Sequence, residues 1–279
     1  MSGSIGPDVV GVFDPTTHTV SYVVSDPASG AALIIDPVLD FDPAAARVST
    51  TSVDRLLRLI DESGLRLEYI LETHAHADHM TGADEIRRRT GASIGVGSEI
   101  TRVQKTFATL FEAADVRPDA SAFDRTFVDG DRFALGRLEV EILHAPGHTP
   151  ACVSYRIGDA VFVGDTLFMP DFGTARCDFP GGDARTLYRS IQRILALPEE
   201  TRMFVGHDYL PETRTEVAWE RPIRRCVRSL KKSARCVSRS AKPDPAGLAD
   251  QHSRRRDAAG GTLGKAVSED AVERMTFGS

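Results

Sequence analysis

The sequence has few cysteines and no long apolar run. Its four cysteines, Cys152, Cys177, Cys226 and Cys236, show no Cys-x-x-Cys spacing, so thiolate zinc sites and dithiol redox motifs are not predicted. No run of about 18 apolar residues suggests a membrane span, and the first residues lack the basic and apolar regions of a secretory signal. We therefore expect a protein of the reducing cytoplasm that does not enter the membrane.

Charge is unevenly distributed along the 279 residues, whose net charge is −6. Residues 221–279 hold 14 Lys and Arg against 6 Asp and Glu, whereas residues 1–220 hold 20 against 34. No aromatic residues interleave with the basic ones, so nucleic acid binding is not expected. We predict a catalytic domain at 1–220 and an atypical basic tail at 221–279, either disordered or produced by a shifted reading frame.

Apolar residues within 1–220 follow the spacing of alternating strands and helices. Helices are predicted at 53–63, 82–90 and 184–197, the last preceded by Asp183 as its N-cap. Strands are predicted at 19–25, 31–36, 67–73, 92–96, 152–157, 160–165 and 201–208, with a hairpin and strand within 132–146. This alternation predicts a layered α/β architecture, in which loops at strand ends carry functional groups.

Histidines cluster at several of these strand ends. Five of the eight lie in three short strings, accompanied by two aspartates: His74, His76, Asp78 and His79 in THAHADH, His148 in APGHTP, Asp165 in VGDT and His207 in VGHD. Histidine and carboxylate are the usual ligands of zinc and non-haem iron. Because His74 and His76 are two residues apart on an extended segment, their side chains face the same side. The pattern predicts a metal site.

These strings resemble the metallo-β-lactamase superfamily over roughly residues 8–220. The resemblance implies a four-layer αβ/βα sandwich with the metal site at one edge. It also implies alternative metal arrangements. In glyoxalase II-like thioesterases two ions, such as Zn²⁺, are bound, and a shared hydroxide attacks the thioester carbonyl. The ligands would then be His74, His76 and His148 for one ion and Asp78, His79 and His207 for the other, bridged by Asp165.

Persulfide dioxygenases of the same superfamily use one Fe(II) per chain. The resemblance to that branch implies that His74, His148 and Asp165 hold the iron, leaving positions for water, substrate sulfur and O2. His76, Asp78, His79 and His207 would then surround this set. The string ARCDF at 175–179, followed by Gly-Gly and a helix, is similar to the persulfide dioxygenase pattern, and TVSYVVSDP, IIDPVLDFDP and ILETHAHADHMTGA are similar to the bacterial form of that branch.

We therefore expect an enzyme that oxidises glutathione persulfide with O2 to sulfite and glutathione. The alternative is the glyoxalase II-like hydrolase, and a non-catalytic sensor using the same pocket is a third hypothesis. By resemblance, Arg176 would bind a glutathione carboxylate and Tyr209 would line the glutathione site. Their plainer alternatives are an ion pair of Arg176 with Asp178 and a packing role for Tyr209. The oligomeric state stays open, with a homodimer as one option.

Overall fold

A computed structural model describes residues 6–170 and 172–209, so the basic tail predicted at 221–279 lies outside the described residues. The helices are α1 (Thr51–Glu62), α2 (Ala83–Thr90), α3 (Ile100–Leu110) and α4 (Ala184–Leu195). The strands are β1 (Asp8–Phe13), β2 (Val20–Ser25), β3 (Ala31–Ile35), β4 (Val38–Asp42), β5 (Arg47–Ser49), β6 (Arg66–Leu71), β7 (Met80–Thr81), β8 (Ser93–Gly97), β9 (Arg125–Phe127), β10 (Arg132–Leu135), β11 (Leu138–His144), β12 (Val153–Ile157), β13 (Ala160–Phe162) and β14 (Arg202–Phe204).

Two large β-sheets form the framework. The first has the strand order β1-β2-β3-β6-β8-β9, and the second has the order β10-β11-β12-β13-β14. In the first sheet β3, β6, β8 and β9 are parallel, while β1 and β2 add an antiparallel edge. A small sheet of β5, β4 and β7 lies beside them. Among the described residues, no helix combines the length and apolar character needed to cross a bilayer.

Side-chain alternation along the strands creates the layers. On β2, Val20, Tyr22 and Val24 join the core between the two sheets, whereas Val23 belongs to the core that contains α1 and α2 residues. This is the period of two expected when both faces of a strand are covered. On the second sheet, Val161 packs in a separate cluster with α4 residues. The order helices, sheet, sheet, helix agrees with the predicted sandwich.

The sheet topology brings several strand ends to one edge. Strand β13 runs parallel to β14, and β11 also runs parallel to β13, because each is antiparallel to β12. The loops that follow these strands therefore emerge together. The end of β14 is attached to the first sheet by the Tyr22 hydroxyl, which donates to the Val205 carbonyl at 2.7 Å, and by a β-bridge between Thr19 and His207.

Candidate metal centre

The segment THAHADH forms a loop between β6 and β7, here called the donor loop (residues 73–79). Its first residue is fixed by Asp36 at the end of β3, whose carboxylate accepts from the Thr73 backbone N–H at 2.7 Å and from the Thr73 hydroxyl at 2.8 Å. The Thr73 hydroxyl also lies 3.0 Å from His74 Nδ1. These contacts hold the His74 ring at its Nδ1 atom.

Two imidazoles and one carboxylate converge at the edge of the sandwich. His74 Nε2 lies 3.8 Å and His148 Nε2 lies 3.6 Å from Asp165 Oδ2. All three residues are buried, and one potential ligand atom of each lies within 4.8 Å of the others. We call His74, His148 and Asp165 the three-donor group. Two histidines and a carboxylate are the donor set of many non-haem iron sites.

Glycine allows Asp165 to approach the donor loop. Asp165 sits in a short 3₁₀ helix, Gly164–Thr166. Gly164 has φ +49°, and a Cβ there would overlap the Thr73 side chain. A larger residue would be strained in this left-handed region and would push Asp165 away from His74.

The loop after β11 orients His148. Its Nδ1 donates to the Arg176 carbonyl at 2.7 Å, which leaves Nε2 with its lone pair toward Asp165. The loop then leads into α4, where Asp183 accepts from the Thr186 N–H at 2.7 Å and confirms the predicted N-cap. The edge of the Phe179 ring faces His148, with ring centroids 5.4 Å apart.

A second group of donors lies within the donor loop. His76, Asp78 and His79 also have potential ligand atoms within 4.8 Å of one another, and we call them the loop group. The His76 and His79 rings stack with centroids 4.2 Å apart. His79 Nδ1 donates to the Met80 carbonyl at 3.0 Å, which leaves Nε2 free to accept or ligate.

His207 joins the two groups. Its Nε2 lies 3.3 Å from Asp165 Oδ1 and 3.4 Å from Asp78 Oδ2, and its Nδ1 lies 3.4 Å from the Thr19 hydroxyl. The structure therefore gathers all seven predicted donors. His76 forms one group with Asp78 and His79 and another with Asp36 and Glu72, and its ring also lies 4.2 Å from the His74 ring.

Asp36 and Glu72 are site residues that motif reading does not identify. His76 Nε2 lies 3.2 Å from Asp36 Oδ1 and 3.1 Å from Glu72 Oε2, and all three side chains are buried. Both carboxylates end apolar strands in the sequence, in AALIID and LEYILET. A carboxylate at the end of a buried strand requires a hydrogen-bonding or oppositely charged partner. Acidic residues directly after apolar strands are therefore the sequence feature that could have indicated Asp36 and Glu72.

Burial and neighbouring charges shift the pKa values of these groups in different directions. Burial, together with the nearby His76 charge, lowers the pKa of His79 to about 4 and holds the pKa of His74 well below its usual range. Burial acts in the same direction on His76, but the charges of Asp36 and Glu72 outweigh it and raise the pKa of His76. Burial raises the pKa of Asp165. Neutral His74 and His79 carry lone pairs that a metal ion can use.

Unpartnered buried atoms provide a test of whether these residues fit a metal ion. Six buried side-chain atoms have no hydrogen-bond partner among the described residues: His18 Nδ1, Ser154 Oγ and Thr166 Oγ1, and the three donor atoms His76 Nδ1, His79 Nε2 and Asp165 Oδ1. Such atoms are rare in folded proteins, because each loses its hydration without compensation. The three donor atoms belong to the predicted ligand set. The donor chemistry and the unpartnered atoms therefore fit a bound cation.

The predicted substrate residues occupy different positions. The Arg176 guanidinium is exposed and forms a bidentate ion pair with Asp178 at 2.6 and 2.8 Å. This is the ion pair predicted from the sequence as the alternative to substrate binding. Tyr209 stacks on His207, with centroids 5.2 Å apart, and contacts Phe172 at 4.5 Å. A cavity of about 410 Å³ opens beside Asp78 and His79, and among the described residues no lysine or arginine lines it.

A sandwich of two sheets flanked by helices, with histidine and aspartate donors at one edge, defines a class of metal-dependent enzymes. The chain belongs to the metallo-β-lactamase superfamily, whose sequence model matches residues 14–207.

Several curated relatives are similar over most of this chain. It is 49% identical to the "Beta-lactamase hydrolase-like protein" of Agrobacterium fabrum over 80% of this chain, and it spans only 52% of that protein's length. It is 47% identical to "Glyoxylase B2" of Dictyostelium discoideum, covering 70% of this chain and 68% of that protein. It is 34% identical to human mitochondrial "Persulfide dioxygenase ETHE1", covering 76% and 72%.

A solved structure is similar as well. The crystal structure of ETHE1 from Myxococcus xanthus superimposes with a TM-score of 0.59 at 29% identity, covering 85% of this chain and 93% of that one. The family is thus established, whereas relatives within it have names that refer to different reactions.

Proposed function

We propose that the chain is a persulfide dioxygenase that oxidises glutathione persulfide. Glutathione persulfide, O2 and water would give glutathione, sulfite and two protons. The outer sulfur loses four electrons, which reduce both oxygen atoms of O2, and the third oxygen of sulfite comes from water. The similarity to ETHE1 proteins supports this reaction class.

The observation that carries the proposal is the convergence of His74, His148 and Asp165, whose potential ligand atoms lie within 4.8 Å of one another. A two-histidine, one-carboxylate set binds Fe(II) on one face and leaves coordination positions for other ligands. We therefore assign one catalytic iron per chain to this group. His76, whose Nε2 lies beside Asp36 and Glu72 and whose ring lies 4.2 Å from the His74 ring, would belong to the surroundings of the iron.

A ferrous ion held by these donors would supply the one-electron chemistry that the reaction of O2 with a sulfur nucleophile needs. The protein residues set its surroundings. The Arg176 carbonyl fixes the His148 tautomer, and the Thr73 hydroxyl supports His74. His207 lies between Asp165 and Asp78, where it can hold a proton or a water molecule for the hydrolytic step.

Aromatic side chains border the same site. Phe179 contacts His148, and Phe168 lies edge-on to His207 with ring centroids 5.9 Å apart. Apolar walls limit the access of bulk water to reactive intermediates. In our proposal Tyr209 contributes to this wall on the substrate side, and Arg176 exchanges Asp178 for a carboxylate of glutathione.

The test is oxygen uptake by the ferrous-loaded protein with glutathione persulfide as the substrate. We expect O2 consumption with equimolar sulfite, and one iron per chain by elemental analysis. His148→Ala and Asp165→Ala should lose the iron and the activity together, because each removes one of three ligands. Asp61→Asn, an exposed carboxylate on α1, provides a matched control that should keep both. Absence of O2 uptake by protein carrying a full iron complement would contradict the proposal.

A second candidate is a two-metal thioester hydrolase of the glyoxalase II type. It is favoured by the loop group, which offers another set of three donors, and by the similarity to "Glyoxylase B2". This candidate predicts that activity requires two ions per chain and that a glutathione thioester is cleaved under argon. The same preparations can be assayed both ways. Binding of persulfide or metal without either turnover would instead favour a sensor.

A further inference from the structure

Glu72 connects two points of the donor loop through one side chain. It stands immediately before the loop, and its Oε2 lies 3.1 Å from His76 Nε2 in the middle of the loop. Its Oε1 accepts a hydrogen bond from the Thr81 hydroxyl just beyond the loop's end, and that hydroxyl oxygen also accepts from the Ala83 N–H at the start of α2. The Glu72 side chain is buried.

Asp36 and Glu72 divide the support of the loop between them. Asp36 holds the beginning and the middle, since it accepts from Thr73 and lies beside His76. Glu72 holds the middle and the end, through His76 and Thr81. The residues of the loop group lie between Thr73 and Thr81 along the chain. His74, in contrast, directly follows Thr73, which Asp36 holds.

We propose that Glu72 is a positioning residue that joins the middle of the donor loop to its end. It thereby determines the affinity of the loop group for a cation, and it does not determine the affinity of the three-donor group. Buried partners of metal ligands fix ligand orientation, and their loss weakens metal affinity by about 10- to 100-fold. The inference rests on the proposed function only in taking the three-donor group as the site of the reaction.

Among the described residues, the hydrogen bonds that orient the three-donor group do not involve the Glu72 side chain, and the link from His76 to this group is a ring contact with His74, with centroids 4.2 Å apart. His148 is oriented by the Arg176 carbonyl, Asp165 by its short helix, and His74 by Thr73. The backbone of Glu72 is held separately, because its N–H donates to the Gly95 carbonyl at 2.9 Å and its carbonyl accepts from the Tyr155 hydroxyl at 2.8 Å. Changing the side chain therefore leaves the start of the loop anchored.

The experiment is a Co²⁺ titration of the metal-free full-length protein under argon, read by visible absorption and by equilibrium dialysis. We expect the unmodified protein to bind one Co²⁺ tightly and a second more weakly. Glu72→Leu should keep the tight binding and weaken the second by about 10- to 100-fold. Its retained tight binding also reports that the variant is folded.

Three further variants separate positioning from a general structural effect. Glu72→Gln keeps a group that can reach both His76 and Thr81, so it should restore the second binding event. Thr81→Val should weaken that event in the same direction, and adding it to Glu72→Leu should cause little further loss, because both remove one connection. Glu68→Gln, on the same strand and paired with exposed Arg66, should change nothing.

The inference would be overturned if Glu72→Leu bound both Co²⁺ ions with unchanged affinity or lost affinity equally for both. It would also be overturned if Glu72→Gln did not restore binding of the second Co²⁺. Uptake of a single Co²⁺ by the unmodified protein at saturation would also overturn it. The titration involves neither O2 nor thiol. A protein with the expected Co²⁺ behaviour but no oxygen uptake would therefore refute the proposed function alone.

Discussion

Arg176 takes part in the site through its backbone. Its carbonyl accepts the His148 Nδ1 hydrogen, while its guanidinium pairs with Asp178 and lies 4.8 Å from the centroid of the Phe179 ring. Any substitution at this position keeps the carbonyl and thus the orientation of His148. The side chain can therefore be tested for substrate binding without disturbing the ligand that its backbone orients.

We expect Arg176→Ala to raise KM for glutathione persulfide by roughly tenfold, as for the loss of one hydrogen bond to a charged group, with kcat little changed. The reason is that, in the proposed complex, the exposed guanidinium would contact the carrier and not the reacting sulfur. Steady-state oxygen-electrode kinetics measure this split. Asp178→Asn is the control, since it frees the guanidinium and should not raise KM. A fall in kcat at constant KM would remove Arg176 from the substrate site.

The identities of the donors could be predicted from sequence, but their grouping could not. His74, His148 and Asp165 stand in short strings whose order and spacing resemble a known family. That His76 turns toward two carboxylates depends on Asp36 and Glu72, which lie on different strands brought together by the pairing of β3 with β6. Contacts between strands distant in sequence leave no local pattern.

At the scale of elements, strands with continuous apolar runs and the helix α4 were predictable within a few residues. No helix is predicted at α3, although Ile100, Val103, Phe107 and Leu110 recur at the spacing of one helix face; the first two of these are buried, while Leu110 and the following Phe111 are exposed. Strand β1 is also unassigned, since it is an edge strand with partly exposed positions. Tertiary pairing determines such elements more than propensity does.

Tyrosine hydroxyls join the two sheets near the site, and their removal should be measurable. Tyr155 on β12 is fully buried and donates to the Glu72 carbonyl at the end of β6. We expect Tyr155→Phe to lower the free energy of unfolding by about 1 to 2 kcal/mol, because a buried carbonyl loses its donor. Urea unfolding measures the change. Tyr188→Phe, at an exposed position on α4, is the control. Equal stability of the two variants would show that the inter-sheet hydrogen bond contributes little.

At the scale of the whole molecule, the donors lie outside the apolar cores. Separate clusters of buried apolar side chains fill the space between the sheets, the space under α1 and α2, and the space under α4. The fold therefore has its own source of stability, unlike small domains whose folding depends on a metal. A bound metal ion would instead satisfy polar atoms that are buried and unpartnered at the edge, His76 Nδ1, His79 Nε2 and Asp165 Oδ1 among them.

Removal of the metal by a chelator should consequently lower the stability without unfolding the protein. We expect the metal-free protein to keep its near-ultraviolet circular dichroism and a cooperative thermal transition, at a lower Tm. Adding free metal at about 100 times its Kd should restore about 2.7 kcal/mol, because the ion binds only the folded state. Differential scanning calorimetry with and without chelator, followed by reloading, measures both effects. Loss of the cooperative transition on chelation would mean that the donor cluster, and not the sandwich core, holds the sheets together.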